Sequence, residues 1–233
     1  MSSQLSRPAR ARSLAEKQQR RADILNAAQA LWMTTPYPEL SMSEVASAAS
    51  LAKGTLYLYF DTKEELFLAL VDRDLDLWIG RTCALLAERR PQTPPQLADV
   101  LVEALEDTRS LRRLLSLLGT VLEHRVGLEQ LRDFRINLKA QLQHLLALMP
   151  VERRVGERVL RHLYALAIGW QHLAEQMETG PVREAQELAG MAQETFVMDG
   201  AFSARGLEME MEDEFELAVR TMVSCLTPQA VLA

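Results

Sequence analysis

The stretch KGTLYLYFDTK, residues 53–63, places three hydroxyls (Thr55, Tyr57, Tyr59) and two cations (Lys53, Lys63) close together. Hydroxyl and ammonium groups are donors suited to phosphate oxygens. Gly54 adds a point where a partner can approach the backbone, because it has no side chain to obstruct contact. None of these groups becomes a nucleophile without a base beside it, and no such pairing is legible. There is no GxSxG, Walker-type loop or dinucleotide GxGxxG. His124, His144, His162 and His172 show no i, i+4 pairing, and Cys83 and Cys225 have no CxxC or metal-type spacing. The chemistry is that of binding. No catalysis, cofactor or metal is expected.

Short helices must present these groups. Ser41 and Glu44 are spaced as a capping box, so a helix begins there and buries Val45 and Ala46. Ala48 and Ala49 are small enough for a second helix to cross closely. That helix starts near residues 52–54, carries Thr55, Tyr57 and Tyr59, and sets Leu56 and Phe60 four apart on its inner face. Thr62 and Glu65 form a second capping box ahead of Leu66, Phe67, Leu70 and Val71. A helix, a turn and a second helix with hydroxyls near its start is how a chain puts side chains into a DNA major groove. Leu58 can offer a base only contact with a thymine methyl or sugar carbons.

Lys53-Gly54-Thr55-Leu56-Tyr57-Leu58-Tyr59-Phe60, followed by Lys63-Glu64-Glu65-Leu66, resembles the recognition-helix signature of TetR-family transcriptional regulators. Arg21 with Ile24-Leu25-Asn26-Ala27-Ala28 matches the start of that family's first helix, and Met42-Ser43-Glu44-Val45-Ala46 its second. The resemblance covers roughly residues 20–80. It implies that Tyr59 and Lys63 grip phosphates, that Thr55 and Tyr57 reach phosphates or bases, and that Ser43 and Arg21 add phosphate contacts. It further implies a homodimer on a palindromic operator in double-stranded DNA, a small, largely apolar effector, and repression relieved by that effector. Three positions depart from the pattern. Pro36 and Ser50 stand where turn glycines are usual, and Ala52 replaces a capping serine.

The rest of the chain is read as all-α, with no convincing strand alternation. A polar arm over residues 1–19, bearing Arg7, Arg10, Arg12 and Lys17, is expected to be disordered, either reaching a minor groove or simply solvated. The helix-turn-helix domain spans 20–80, its first helix running over 19–33, and a larger helical effector-binding and dimerisation domain spans 81–233. A long helix over 63–89 joins them. Prolines 91, 94 and 95 break the chain, and helices follow over 97–106, 110–124, 128–149, 155–178, 183–197 and 207–226, with 199–206 as a loop.

Trp78, Phe134, Met149, Tyr164 and Trp170 are candidate pocket walls, with His124, His172 and Gln171 as polar anchors; ordinary core aromatics and surface histidines are the competing reading. Ala165 and Gly169, small and four apart, could let a partner helix approach in a dimer, or could serve packing within one chain. The acidic residues Glu208, Glu210, Glu212, Asp213, Glu214 and Glu216 read as a solvated face. The cysteines read as two buried thiols, with a redox disulfide as the alternative.

The formal net charge is −6, unevenly shared. Residues 1–60 hold seven Lys/Arg against four Asp/Glu, whereas the remainder holds nineteen against twenty-eight. A basic head on an acidic body suits a nucleic-acid partner. With no long apolar run or signal segment, no membrane association is expected and a cytoplasmic location is. An all-α protein-binding adaptor without sequence-specific DNA binding is the alternative reading.

Overall fold

The computed structural model describes residues 9–179 and 204–227, and every regular element among them is helical. Helix α1 spans Ala9–Trp32, α2 Met42–Ala48, α3 Lys53–Leu56 and α4 Lys63–Arg89. Then come α5 (Pro94–Leu105), α6 (Arg109–Leu117), a π-helical turn (Leu118–Leu122) and the single turn α7 (Glu123–Arg125). Helices α8 (Leu128–Leu148), α9 (Arg153–Thr179) and α10 (Ala204–Leu226) complete it.

The structure departs from the sequence expectation at several points along the chain. Residues 9–19, expected to be disordered, belong to α1. The segment is rich in Ala, Arg, Lys, Glu and Gln, which favour helix without needing burial, so hydrophobic periodicity missed it. Residues 204–206, expected as loop, open α10, while the expected helix over 183–197 and the arm over 1–8 lie outside the described residues. The cysteines are free thiols: Cys83 is half-buried, its pKa raised by burial, but Cys225 is exposed, not buried as expected.

The local signals act as their chemistry requires. At α2, Glu44 accepts from the Ser41 backbone N–H at 2.8 Å, and the Ser41 hydroxyl accepts from the Glu44 N–H at 3.3 Å. At α4, the Thr62 hydroxyl accepts from the Glu65 N–H at 3.1 Å, whereas the Glu65 carboxylate turns to the Asp61 N–H at 2.9 Å. Ala52 leaves α3 without a side-chain cap.

The head packs α1 to α3 against the first half of α4, burying Ile24, Val45, Leu56, Leu66, Phe67 and Leu70. Trp32 and Tyr37 both meet the Phe67 ring edge-on, at 5.3 and 4.9 Å between centroids. That core runs on into the body through Leu111, Leu114, Leu118, Leu122, Leu131 and Phe134. A second cluster, with Ile79, Leu97, Leu101, Leu145, Val159 and Val219, joins α4, α5 and α8 to α10.

Two buried polar contacts tie the layers together. Asp74 accepts from Arg73 and from Gln29 of α1, and lies 3.5 Å from the Ser110 hydroxyl of α6. Arg113 of α6 lies over the Trp32 ring and donates to the Trp32 carbonyl at 3.0 Å, which puts a cation on the negative end of α1.

The two altered turn positions resolve differently. Pro36 accepts at its carbonyl from the N–H groups of Glu39 and Leu40, and the turn around it contains no residue of positive φ. Ser50 keeps a left-handed backbone, with φ of 55°. A side chain in that region carries about 1 kcal/mol of strain. Ser50→Gly should therefore match or exceed the native melting temperature by a few degrees, read by circular dichroism; a clear fall would show that the Ser50 side chain supports the turn.

Candidate nucleic-acid interface and effector cavity

The α2–turn–α3 unit displays the DNA-facing candidates. Ser43 is exposed in the first turn of α2, and Lys53 and Gly54 are exposed at the start of α3. Thr55 is half-exposed, and Tyr57 is 40% exposed although large and aromatic. Leu56 and Phe60, buried beneath, fix the unit to the head core. α3 is shorter than the sequence suggested: the helix ends at Leu56, and hydrogen-bonded turns carry Tyr57 to Phe60. A Cβ added at Gly54 would meet nothing within 4 Å, so packing does not require a glycine there.

Three candidates have other engagements. Lys63 donates from Nζ to the carbonyls of Tyr37 and Leu40 at 2.8 and 2.9 Å, and lies 4.1 Å from the Tyr37 ring centroid. Burial holds its pKa below the ordinary lysine value. Two of its three donors thus fasten the loop between α1 and α2 to the start of α4. The Tyr37 hydroxyl donates to Glu64 at 3.0 Å; burial, then the Glu64 charge, push the phenol far above its usual range. Arg21 stacks over Phe60, 5.2 Å from the ring centroid. Tyr59 is half-buried, and with Arg21 and Leu58 it borders an open cleft between the head and α8. Leu58 itself is 76% exposed, the largest exposure of any large apolar side chain in the head.

The body contains a cavity of about 500 Å³, within the range of small-molecule sites. Trp78, Phe134 and Tyr164 line it as expected, together with Leu75, Leu111, Leu115, Leu118, Leu138, Leu142 and Leu160. Met149, Trp170 and His172 do not: Met149 is buried in the second cluster, Trp170 packs on Phe215 at 5.9 Å, and His172 is exposed. Trp170 and His172 sit on α9 beside lining residues but on other faces, and Met149 lies just past the end of α8, distinctions that residue type cannot reveal. His124 and Gln171 are also absent from the wall; Gln171 donates instead to Glu175 at 3.0 Å. Arg112, which the sequence reading passed over, is in the wall and only 7% exposed. Its sole sequence signal is a charge inside the run LRRLLSLL.

On α9, Ala165 and Gly169 are exposed, and nothing lies within 4 Å of a Cβ built on Gly169. Leu173, one turn further along α9, is exposed, and so is Leu217 on α10. Among the described residues, no His/Cys/Asp/Glu group could hold a metal and no helix is long and apolar enough to cross a membrane. Glu212 and Glu216 of the acidic run pair with Arg112 and Arg220.

Comparison with known proteins completes this picture. Residues 24–70 match the family of bacterial regulatory proteins called tetR, and residues 72–204 match the tetracyclin repressor-like C-terminal domain. The chain belongs to the TetR family. It is thus a ligand-responsive DNA-binding transcriptional regulator, of a family whose members are typically repressors. Solved TetR-type structures share its fold at low identity. A TetR regulator from Rhodococcus sp. RHA1 is 17% identical with a TM-score of 0.54, covering 91% of this chain and 98% of its own. The fatty acid degradation regulator FadR from Bacillus halodurans is 15% identical with a TM-score of 0.54, over 89% and 94%. The multidrug binding protein EbrR, solved with imidazole, is 19% identical with a TM-score of 0.54, over 90% and 95%. No curated protein matches the chain by sequence.

For a TetR head, these environments separate contact from support. Gly54→Ala should leave the melting temperature equal or higher, since alanine favours helix by up to about 1 kcal/mol. Its duplex affinity should fall at least tenfold as the new methyl obstructs close approach; unchanged affinity removes Gly54 from the interface. Lys53→Ala should lower the salt slope of log K by about one with stability intact. Lys63→Ala should instead destabilise the head by about 1–2 kcal/mol by orphaning two carbonyls. A lowered slope with native stability in that variant would reverse the assignment.

Proposed function

We propose that the chain is a homodimeric repressor acting in the cytoplasm, releasing a palindromic operator in double-stranded DNA when a small, largely apolar effector fills the body cavity. The DNA contacts are Ser43, Lys53, Gly54, Thr55 and Tyr57, with Arg21 and Tyr59 at the margin and Lys63 chiefly holding the head together. The head, residues 20–80, ends within α4, and residues 81–233 form the effector-binding and dimerisation domain. Three placements support this reading: an exposed hydroxyl and lysine set on α2 and α3, an apolar cavity in the body, and α4 running through both cores.

One recognition unit reads too few base pairs for useful specificity, so two must be held at a fixed spacing. The open face of α9 at Ala165 and Gly169, with α10, is the proposed contact between protomers. Sedimentation at micromolar concentration without DNA should give a dimer, and Gly169→Arg should give a monomer with weakened operator binding. A native monomer under these conditions would refute the arrangement.

The carrying observation for induction is the seam between α4 and α8. Gln130 donates to Glu65 at 2.7 Å, Asn137 to Asp72 at 3.0 Å, and Gln141 to Asp76. The shared offset of 65 residues means that the two helices run parallel and in register. On the same α8, Phe134, Leu138 and Leu142 line the cavity, and Phe134 also borders the cleft beneath Tyr59 and Phe60. An effector that displaces α8 therefore pulls on α4 and the head together. In an Asn137→Leu, Gln141→Leu double variant, effector and operator should each still bind alone. The factor by which one weakens the other, commonly 5- to 150-fold and equal in both directions, should shrink severalfold. An undiminished factor would exclude the seam as the route.

A further inference from the structure

Resting on the reading of the body cavity as the effector site, we propose that the effector is an amphipathic carboxylate, its apolar body seated among the leucines and its headgroup held at the mouth by Arg161 and the Tyr164 hydroxyl. The wall is divided by depth. Its buried side chains are leucines with Phe134, Ala167 and Arg112. Among the described wall residues, only Arg135, Arg161 and Tyr164 are exposed, and Glu123 and Glu157 are half-buried. These five polar side chains come from α7, α8 and α9, so the cavity opens on that side. The interior offers a ligand no free donor. The Thr108 hydroxyl proton goes to the Leu105 carbonyl at 2.5 Å, and Nε1 of Trp78 and Nε of Arg112 are buried out of a ligand's reach. A ligand therefore meets hydrocarbon inside and polar groups at the opening, which is the division an amphiphile carries.

The charges of the wall set the sign of the headgroup. Arg112 is answered by Glu212 of α10 at 3.0 Å, Arg135 by Glu123 at 3.1 Å, and Glu157 by Arg153 at 3.0 Å. Arg161 has no ion pair or hydrogen bond among the described residues, so the wall and its partners carry one unmatched positive charge. Tyr164 follows Arg161 by three on α9, which sets the two side by side. Its hydroxyl also makes no hydrogen bond among the described residues. Burial, then the Glu123 charge, raise the phenol's pKa, so it keeps its proton and can donate. A guanidinium and a phenol O–H together match a carboxylate, which accepts from both. An ammonium has only Glu123 and Glu157 to meet, and at either it would compete with an arginine already in place.

The test uses the full-length protein and three probes with a ten-carbon chain: decanoate, decylammonium and decan-1-ol. Calorimetric titration should show decanoate binding about fivefold or more tighter than decylammonium, and high salt should shrink that ratio because the headgroup sits at an exposed rim. Arg161→Gln should leave the melting temperature unchanged and weaken decanoate about three- to fivefold, with decan-1-ol unaffected. Arg161→Lys, which keeps the charge, should recover most of that loss, and Arg161→Glu should turn the preference toward decylammonium. Decylammonium bound as tightly as decanoate by the native protein overturns the proposal. So does an Arg161→Gln variant that weakens all three probes equally or none, and so does no binding of any probe up to millimolar concentration. Leu142→Trp, which fills the cavity, should abolish decanoate binding; binding that survives it undiminished lies elsewhere and overturns the proposal too. Operator affinity keeps the two readings apart. If decylammonium alone binds and releases operator DNA, and Leu142→Trp abolishes both effects, the carboxylate class is wrong while the cavity remains the effector site. If decanoate binds in the expected order without changing operator affinity, the class stands and the coupling fails.

Discussion

Helix α4 gives Leu66, Phe67, Leu70, Val71 and Leu75 to the core beneath the recognition unit, and Ile79 and Leu86 to the core of the body. It does so without interruption over Lys63–Arg89. An α-helix of 27 residues is about 40 Å long at 1.5 Å per residue, and it bends only gently without a proline, glycine pair or bulge. Its one glycine, Gly80, is exposed and stands alone. The orientation of the head is therefore set by how the body grips the second half of α4. Capping fixes where the helix begins: Thr62 binds the Glu65 N–H, and Lys63 ties the first turn to the preceding loop.

The body has further holds on the head. Arg113 reaches the last carbonyl of α1, and Asp74 gathers contacts from α1, α4 and α6. Buried ionic contacts add little net stability over apolar packing, but removing one partner leaves a charge without compensation. They favour one relative placement of helices more than they strengthen the fold as a whole. That property suits a protein whose two recognition units must keep a defined spacing until a ligand alters it. Solvent-exposed pairs such as Arg81 with Glu106 contribute far less.

Legibility from sequence followed the range of the interaction. Capping acts over three residues, so the box at Ser41 and the side-chain cap at Thr62 are readable because both partners lie in one short string; only the return bond of Glu65, which goes to Asp61, differs. The exposed set on α2 and α3 was readable for the same reason. Lys63 reads as a phosphate ligand on the family resemblance, while its bonds to the Tyr37 and Leu40 carbonyls involve main-chain atoms that leave no signature in residue type. The α4–α8 seam joins residues 65 apart, and its amides and carboxylates look like ordinary surface polarity until the helices are placed side by side. Trp78 and Met149 are equally plausible pocket walls by composition; Trp78 lines the cavity from α4, whereas Met149 lies just past the last residue of α8 and joins the second cluster. The π-helical turn at Leu118–Leu122 left no periodic mark, yet such turns break helical register and often accompany functional sites. Here the run brings both Leu115 and Leu118 to the cavity while Leu122 is fully buried.

A largely leucine-lined cavity of about 500 Å³ leaves its wall without some of the dispersion contacts that close packing would provide. Simple stability would favour larger side chains or a collapsed α8. The wall is instead mostly leucine, with Trp78, Phe134 and Tyr164 among it. A ligand that supplies the missing contacts gains from that deficit, and by mass action it stabilises whichever arrangement of α4 and α8 holds it best. Because α8 is hydrogen-bonded to α4 along the seam, that arrangement need not be the one that suits DNA. The same loosely packed wall thus gives a ligand the means to shift the balance between two placements of the head. It can do so only by the difference in its affinity for the two.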